Sequence, residues 1–160
     1  MKLTKQLSDR LKEVFLEGKW VAGTNFKDEI SDLDWEHANT KIGPLNSIAD
    51  LTFHIHYYIS GVLKVLEGGP LDIKDKYSFD APPIYSSQDW KNLIDRFCRD
   101  SEKVVNMIEN IPEKMFTNTF VDQKYGSYHR NIDVLIEHGY YHLGQIILIK
   151  KLIRDRDQDN

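Results

Sequence analysis

Apolar and polar positions along this chain recur with the period of a helix rather than that of a strand. Leu3, Leu7, Leu11, Val14 and Phe15 form one stripe and predict a first helix from Leu3 to Gly18. Ile48, Leu51, Ile55, Ile59, Val62 and Leu66 form a second stripe. Its helix opens at Asn46 or Ser47, both good N-caps, with Asp50 at a favourable early position, and it stops at Glu67 before Gly68-Gly69-Pro70. A third helix starts after Ser86-Ser87, buries Ile94, Phe97, Ser101, Val104, Val105 and Ile108, and runs to about Asn110, with Pro112 closing it. The fourth takes the chain from Asn131 through Leu152 to about Arg154. With successive residues about 100° apart, Leu135, His138, His142, Ile146, Ile149 and Ile153 share its core-facing arc.

The segments between these stripes are less regular. Gly18 and Gly23 interrupt the first helix, and Thr24 or Asn25 caps a short helical piece through FKDEISDL. DLDWEHANTKIGPL reads as a loop, broken most strongly at Gly43-Pro44. Residues 68–86 form a long connection with Pro70, Pro82 and Pro83 and little periodicity. Residues 113–127 alternate aromatics and threonines, as a short hairpin or an extended loop does. The expectation is an all-α chain: a four-helix bundle in one domain, residues 1–154, with long connections between helices 1 and 2 and between helices 2 and 3. Residues 155–160 are expected to fray.

Composition narrows the function classes. Hydrophobic residues make up 41% and charged residues 29%, ordinary for a globular domain. A net charge of −4 argues against a nucleic-acid partner, which calls for a basic surface. No apolar run approaches the roughly 18–20 residues of a membrane span, so no membrane partner is expected. The N-terminus, MKLTKQLSDRLKEV, is amphipathic and charged, unlike a signal peptide. The lone cysteine, Cys98, excludes an intrachain disulfide, sits in a helical pattern as a core filler, and favours the reducing cytoplasm.

The candidate chemistry lies in the histidines. His138 and His142 stand one helical turn apart on an apolar face, so two imidazoles are buried side by side. A buried imidazole needs partners for both ring nitrogens. A backbone carbonyl satisfies one ring; a metal ion satisfies two at once. The pair is not the zincin H-E-x-x-H, because Gly139 follows His138 and Glu137 points about 100° away. On the second helix, His54 and His56 lie on opposite flanks of Ile55, and periodicity does not choose between them.

The run S-I-A-D-L-T-F-H-I-H-Y-Y, followed far downstream by E-H-G-Y-Y-H-L-G-Q, resembles the DinB/YfiT-like superfamily of four-helix-bundle metalloenzymes. The resemblance extends over nearly the whole chain in length and helix order. In that family a histidine early in helix 2 and an H-x-x-x-H pair on helix 4, commonly followed by Gly-Gln, bind a divalent metal. The match implies His54, three residues after Leu51, with His138 and His142; Gly144-Gln145 match the trailing pair. It further implies a divalent transition metal such as zinc or nickel, a small-molecule substrate, and hydrolysis or transfer and isomerisation with a low-molecular-weight thiol. Homodimers are implied as well. Three neutral imidazoles leave such an ion its charge and an open position, at which a water is acidified toward a pKa of about 7 or a thiolate is activated.

Tyr58, one turn after His54, is a candidate proton donor, and Gln145, one turn after His142, a candidate partner for a ligand imidazole. Should the N-terminal ends of helices 2 and 4 share one end of the bundle, the site opens toward residues 18–46 and 112–127. Its walls are then drawn from Trp20, Trp35, His37, Phe116, Phe120, Tyr125 and His129. A fourth ligand such as His56 or His129 would instead favour a closed, structural site. The alternative to an enzyme is a non-catalytic bundle dimer whose metal is structural or absent.

Overall fold

A computed structural model describes residues 2–158. Six α-helices occur among them: α1 (Leu3–Lys12), α2 (Phe26–Ser31), α3 (Trp35–Asn39), α4 (Ile48–Leu66), α5 (Ser87–Asn110) and α6 (Tyr128–Gln158). The four long ones, α1, α4, α5 and α6, are those the apolar stripes predict. A π-helical turn, Glu13–Glu17, extends α1 and buries Val14, Phe15 and Leu16. The helix ends at Gly18, where a Cβ would lie 2.0 Å from the Cγ of Glu13. Asn25 caps α2 by accepting from the Asp28 N–H at 3.0 Å. At α4 a capping box forms: Ser47 Oγ accepts from the Asp50 N–H at 3.1 Å and Asp50 Oδ2 accepts from the Ser47 N–H at 2.9 Å.

Three features depart from the pattern-based expectation. The stretch expected as a loop through residues 32–45 contains α3, capped by Asp34, whose Oδ1 accepts from the His37 N–H at 2.8 Å. Only Ala38 of that helix is buried, so it carries no apolar stripe to read. Helix α6 begins at Tyr128 rather than Asn131, because Ser127 Oγ accepts from the Arg130 N–H at 3.2 Å and serves as its cap. At its other end α6 stays helical to Gln158, into the stretch expected to fray; Asp159 and Asn160 lie outside the described residues.

Contacts between the long helices give their directions. Lys5 faces Glu109 (3.7 Å) while Phe15 meets Phe97 (ring centroids 5.9 Å), so α1 and α5 are antiparallel. Arg10 pairs with Asp133 at 2.8 Å and Phe15 abuts Gly139, so α1 and α6 are parallel. His54 meets His142 (4.7 Å) and Tyr58 meets His138 (5.1 Å), so α4 and α6 are antiparallel. Phe53 and Leu93 line one small cavity, and His56 bonds Asp100, so α4 and α5 are parallel. Phe15, Phe26 and Phe97 close the core with ring centroids 5.3–5.9 Å apart.

Because α4 and α5 are parallel, the chain between them must return along the length of the bundle. Residues 67–86 do so as a strap over α4. Ile73 sits on Gly61, where a Cβ would come within 2.5 Å of its Cδ1. The Lys74 N–H donates to the Tyr57 hydroxyl at 2.8 Å, and that hydroxyl donates to the Lys74 carbonyl at 3.1 Å. Residues 113–127 fold as two 3-10 turns, Glu113–Thr117 and Gln123–Tyr125, with a single antiparallel bridge between Thr119 and Ser127. This is the short hairpin-like alternative. No described helix is long and apolar enough to cross a membrane.

Candidate metal centre

The four-residue interval from His138 to His142 places both on the same side of α6, and the antiparallel packing of α4 brings His54 opposite them. Their Nε2 atoms meet. His54 Nε2 lies 3.2 Å from His138 Nε2, and His142 Nε2 lies 2.8 Å from it. Each of the three residues offers one ligand atom, and these atoms lie within 4.8 Å of one another. Among the described residues this is the only group of three or more His, Cys, Asp or Glu side chains so arranged.

The outer nitrogens explain why the inner ones converge. His54 Nδ1–H donates to the Ser78 carbonyl at 3.2 Å, and His142 Nδ1–H donates to Gln145 Oε1 at 2.6 Å. A carbonyl oxygen only accepts, so in both rings the proton is held at Nδ1 and Nε2 keeps a lone pair. His138 Nε2 can donate to one of these lone pairs but not to both. One acceptor is thus left facing the others, an arrangement that a shared cation resolves. The separations suit one: tetrahedral zinc with bonds of about 2.0–2.1 Å holds its imidazole nitrogens about 3.3 Å apart. The 3.2 Å pair matches that edge, and the 2.8 Å pair is the length of one N–H···N hydrogen bond.

Electrostatics agree. Burial, then the neighbouring His142 and His54, push the His138 pKa down to about 4. Burial, followed by His142, lowers His54, and burial lowers His142 against the opposing bond from Gln145. All three rings are neutral at pH 7, the form that binds a metal.

Of the two histidines that periodicity leaves open, His54 enters the cluster. His56 turns to α5, where its Nε2 lies 2.8 Å from Asp100 Oδ2, and Arg99 Nε donates to the other oxygen of that carboxylate at 3.0 Å. His129 lies 3.3 Å from Asp133. His37 bridges Asp34 (2.6 Å) and Asp157 (3.0 Å) near the C-terminal end of α6. None of these joins the three. Tyr58 packs its ring edge-on against His54 and His138, both at 5.1 Å, but its hydroxyl donates to Asp75 Oδ1 at 3.0 Å. Burial raises the Tyr58 pKa, so it stays a phenol. Gln145 stands in the place its spacing implies. Cys98 is half-buried, and burial raises its thiol pKa, which leaves it a packing residue.

The mouth differs from expectation. Antiparallel α4 and α6 put their N-terminal ends at opposite ends of the bundle, so residues 18–46 do not wall the site. Trp20 is 92% exposed, and His37 sits one bundle end away. Phe120 and Tyr125 of the 112–127 loop do line the adjoining cavity. The remaining wall comes from the strap. Phe79 stacks on His54 at 4.0 Å with an interplanar angle of 13°, Ser78 holds its Nδ1, and Asp75 holds Tyr58. Sequence reasoning missed these three residues, since the strap has no period that assigns side chains to a face.

No curated protein and no solved structure matches the chain. The family model of the DinB superfamily matches residues 24–146, a span that contains α2 to α5, the strap and all three converging histidines. On that match and on this all-α bundle, the chain belongs to the DinB superfamily.

Proposed function

We propose that the protein is a metal-dependent enzyme acting on a small molecule, as a hydrolase or as an S-transferase that uses a low-molecular-weight thiol. His54, His138 and His142 hold its divalent ion, zinc or nickel. One observation carries the reading: the Nε2 atoms of three rings converge, and Ser78 and Gln145 pin the outer nitrogens of His54 and His142 so that two of the three present lone pairs. Bound there, a divalent ion supplies Lewis-acid activation of a water or a thiol at neutral pH. Structural zinc sites usually have four protein ligands, and this group has three, which favours an open, reactive position. Tyr58, held beside His138 by its bond to Asp75, is the group placed to donate to a substrate once it releases that carboxylate, and Gln145 orients His142. The compartment that fits the lone cysteine is the cytoplasm.

The test is metal content. After reconstitution the wild type carries about one zinc or nickel per chain, and His142→Ala carries almost none while keeping its helical spectrum. A wild type that stays metal-free refutes the reading. A second reading, a non-catalytic homodimer, draws on Val134, Tyr141 and Leu148, exposed at seven-residue intervals along α6. A metal-free wild type that sediments as a dimer would put that reading first.

A further inference from the structure

Beside the three histidines lies a cavity of about 560 Å³, within the roughly 300–1,000 Å³ of small-molecule sites. His138 is the one ring of the three that also lines it; Phe79 and the strap cover His54. Val62, Leu71, Ile73, Phe120, Val134 and Leu135 form its apolar wall. Three elements that are far apart in sequence build it: the middle of α4, the strap, and the first turns of α6 with the loop before them.

The charged and amide groups at the cavity are engaged with one another or with the backbone, Asn131 donating to the Tyr125 and Ser127 carbonyls. Arg130 and Glu137 face one another at 3.3 Å, so their charges offset. Asp75 accepts from the Tyr58 hydroxyl. The charges around the rim therefore leave a slight negative excess, which disfavours an anionic tail. What remains is a chamber with an apolar wall, a histidine at one side, and the phenols of Tyr58, Tyr125 and Tyr141 around its edge.

Resting on the metal reading above, we infer that the cavity holds the uncharged, apolar body of the substrate while its polar head meets the histidine cluster. The substrate class is thus a molecule with a metal-binding head and an aliphatic or aromatic tail. A small polyanion does not fit this description. Each methylene moved from water into such a wall tightens binding by about fourfold, so affinity should climb with tail length until the chamber is filled.

Alkyl hydroxamates test this, because the head binds a divalent ion and the tail can be varied. Titration calorimetry on zinc-reconstituted protein compares acetohydroxamate, butanohydroxamate and octanohydroxamate, with the eight-carbon hydroxamate bearing a terminal carboxylate as the charged control. The expected result is tightening by roughly a hundredfold or more from the shortest to the longest chain, and a loss of at least tenfold when the tail ends in a carboxylate. Val134→Asp, at a partly exposed position on α6, keeps the fold and the zinc. It should leave acetohydroxamate binding unchanged and remove most of the gain from chain length. Equal affinity for all three chains overturns the inference. So does an undiminished gain in Val134→Asp, because the tails would then lie elsewhere. A dimer that Val134→Asp dissociates, with flat chain dependence, would mean that a second copy fills the chamber. If the protein takes up no zinc, the metal reading falls by itself. The same series on the metal-free protein, read by methyl chemical shifts, then decides the cavity: chain-length tightening supports it and a flat series overturns it.

Discussion

At the scale of single residues, the centre depends on where three protons sit. Ser78 and Gln145 hold Nδ1–H of His54 and His142, so the lone pairs at Nε2 have one direction left. Outer partners of this kind raise ligand basicity and fix ring orientation. Replacing Gln145 with Ala should weaken zinc affinity by about 10–100-fold with little change in thermal stability, checked by competition with a chromogenic chelator. Much of this was legible beforehand. The interval between His138 and His142 puts both rings on one face of a helix, and Gln145 lies one turn further along it. The choice of His54 over His56 was not legible from periodicity, because both flank Ile55 symmetrically. It took the family pattern to favour His54, and the packing of α5 explains the outcome: Asp100 and Arg99 occupy the flank to which His56 turns. Asp75, Ser78 and Phe79 carried no signal at all, since the strap around them has only one short 3-10 turn, Asp75–Tyr77, and no period that assigns side chains to a face.

At the scale of elements, the site is set by how closely α1, the strap and α6 approach their neighbours. Gly139, the residue that stands where a zincin would place its glutamate, is where α1 presses on α6. A Cβ there would lie 2.8 Å from the Phe15 ring and 3.0 Å from Val14. Phe15 is locked between Phe26 and Phe97 and has no room to yield. Gly139→Ala should therefore cost about 1–3 kcal/mol, whereas Gly144→Ala, with nothing within 4 Å of its new Cβ, should stabilise by up to about 1 kcal/mol through helix propensity. Urea denaturation of the two variants decides it. The long helices were readable because each buries a stripe of side chains at the helical period. Helix α3 was not, because it buries one alanine. The directions of the helices were not readable either. They follow from the route of the strap, and a parallel α4 and α5 reverse the end at which the site was expected to open.

For the whole molecule, the bundle and the ion are separable. The core runs the length of four helices, and the histidines occupy a small part of it, so removal of metal should not unfold the chain. The metal-free protein should instead show a pH-dependent stability. His54, His138, His142 and His56 all have pKa values lowered by burial, His138 to about 4. Each is protonated in the unfolded chain below about 6.5 while its folded form resists the proton. Their contribution is complete above that pH and is lost as pH falls toward about 4. His37, raised by Asp34 and Asp157, acts in the opposite sense but is one ring against four. Thermal melts of chelated protein between pH 7.5 and 4 should therefore show a melting temperature that is flat at first and then falls. A chelated protein with no folded baseline at pH 7.5 would make the metal structural.

The central claim is that three imidazoles hold one ion and leave it an open position. X-ray absorption at the metal edge of reconstituted protein measures this directly. The account predicts a first shell of nitrogen or oxygen at about 2.0–2.1 Å, with imidazole scattering from three rings and one further light atom that an added thiol replaces with sulfur. A shell of four protein ligands that no added thiol or hydroxamate disturbs, or one with fewer than three imidazoles, would contradict it.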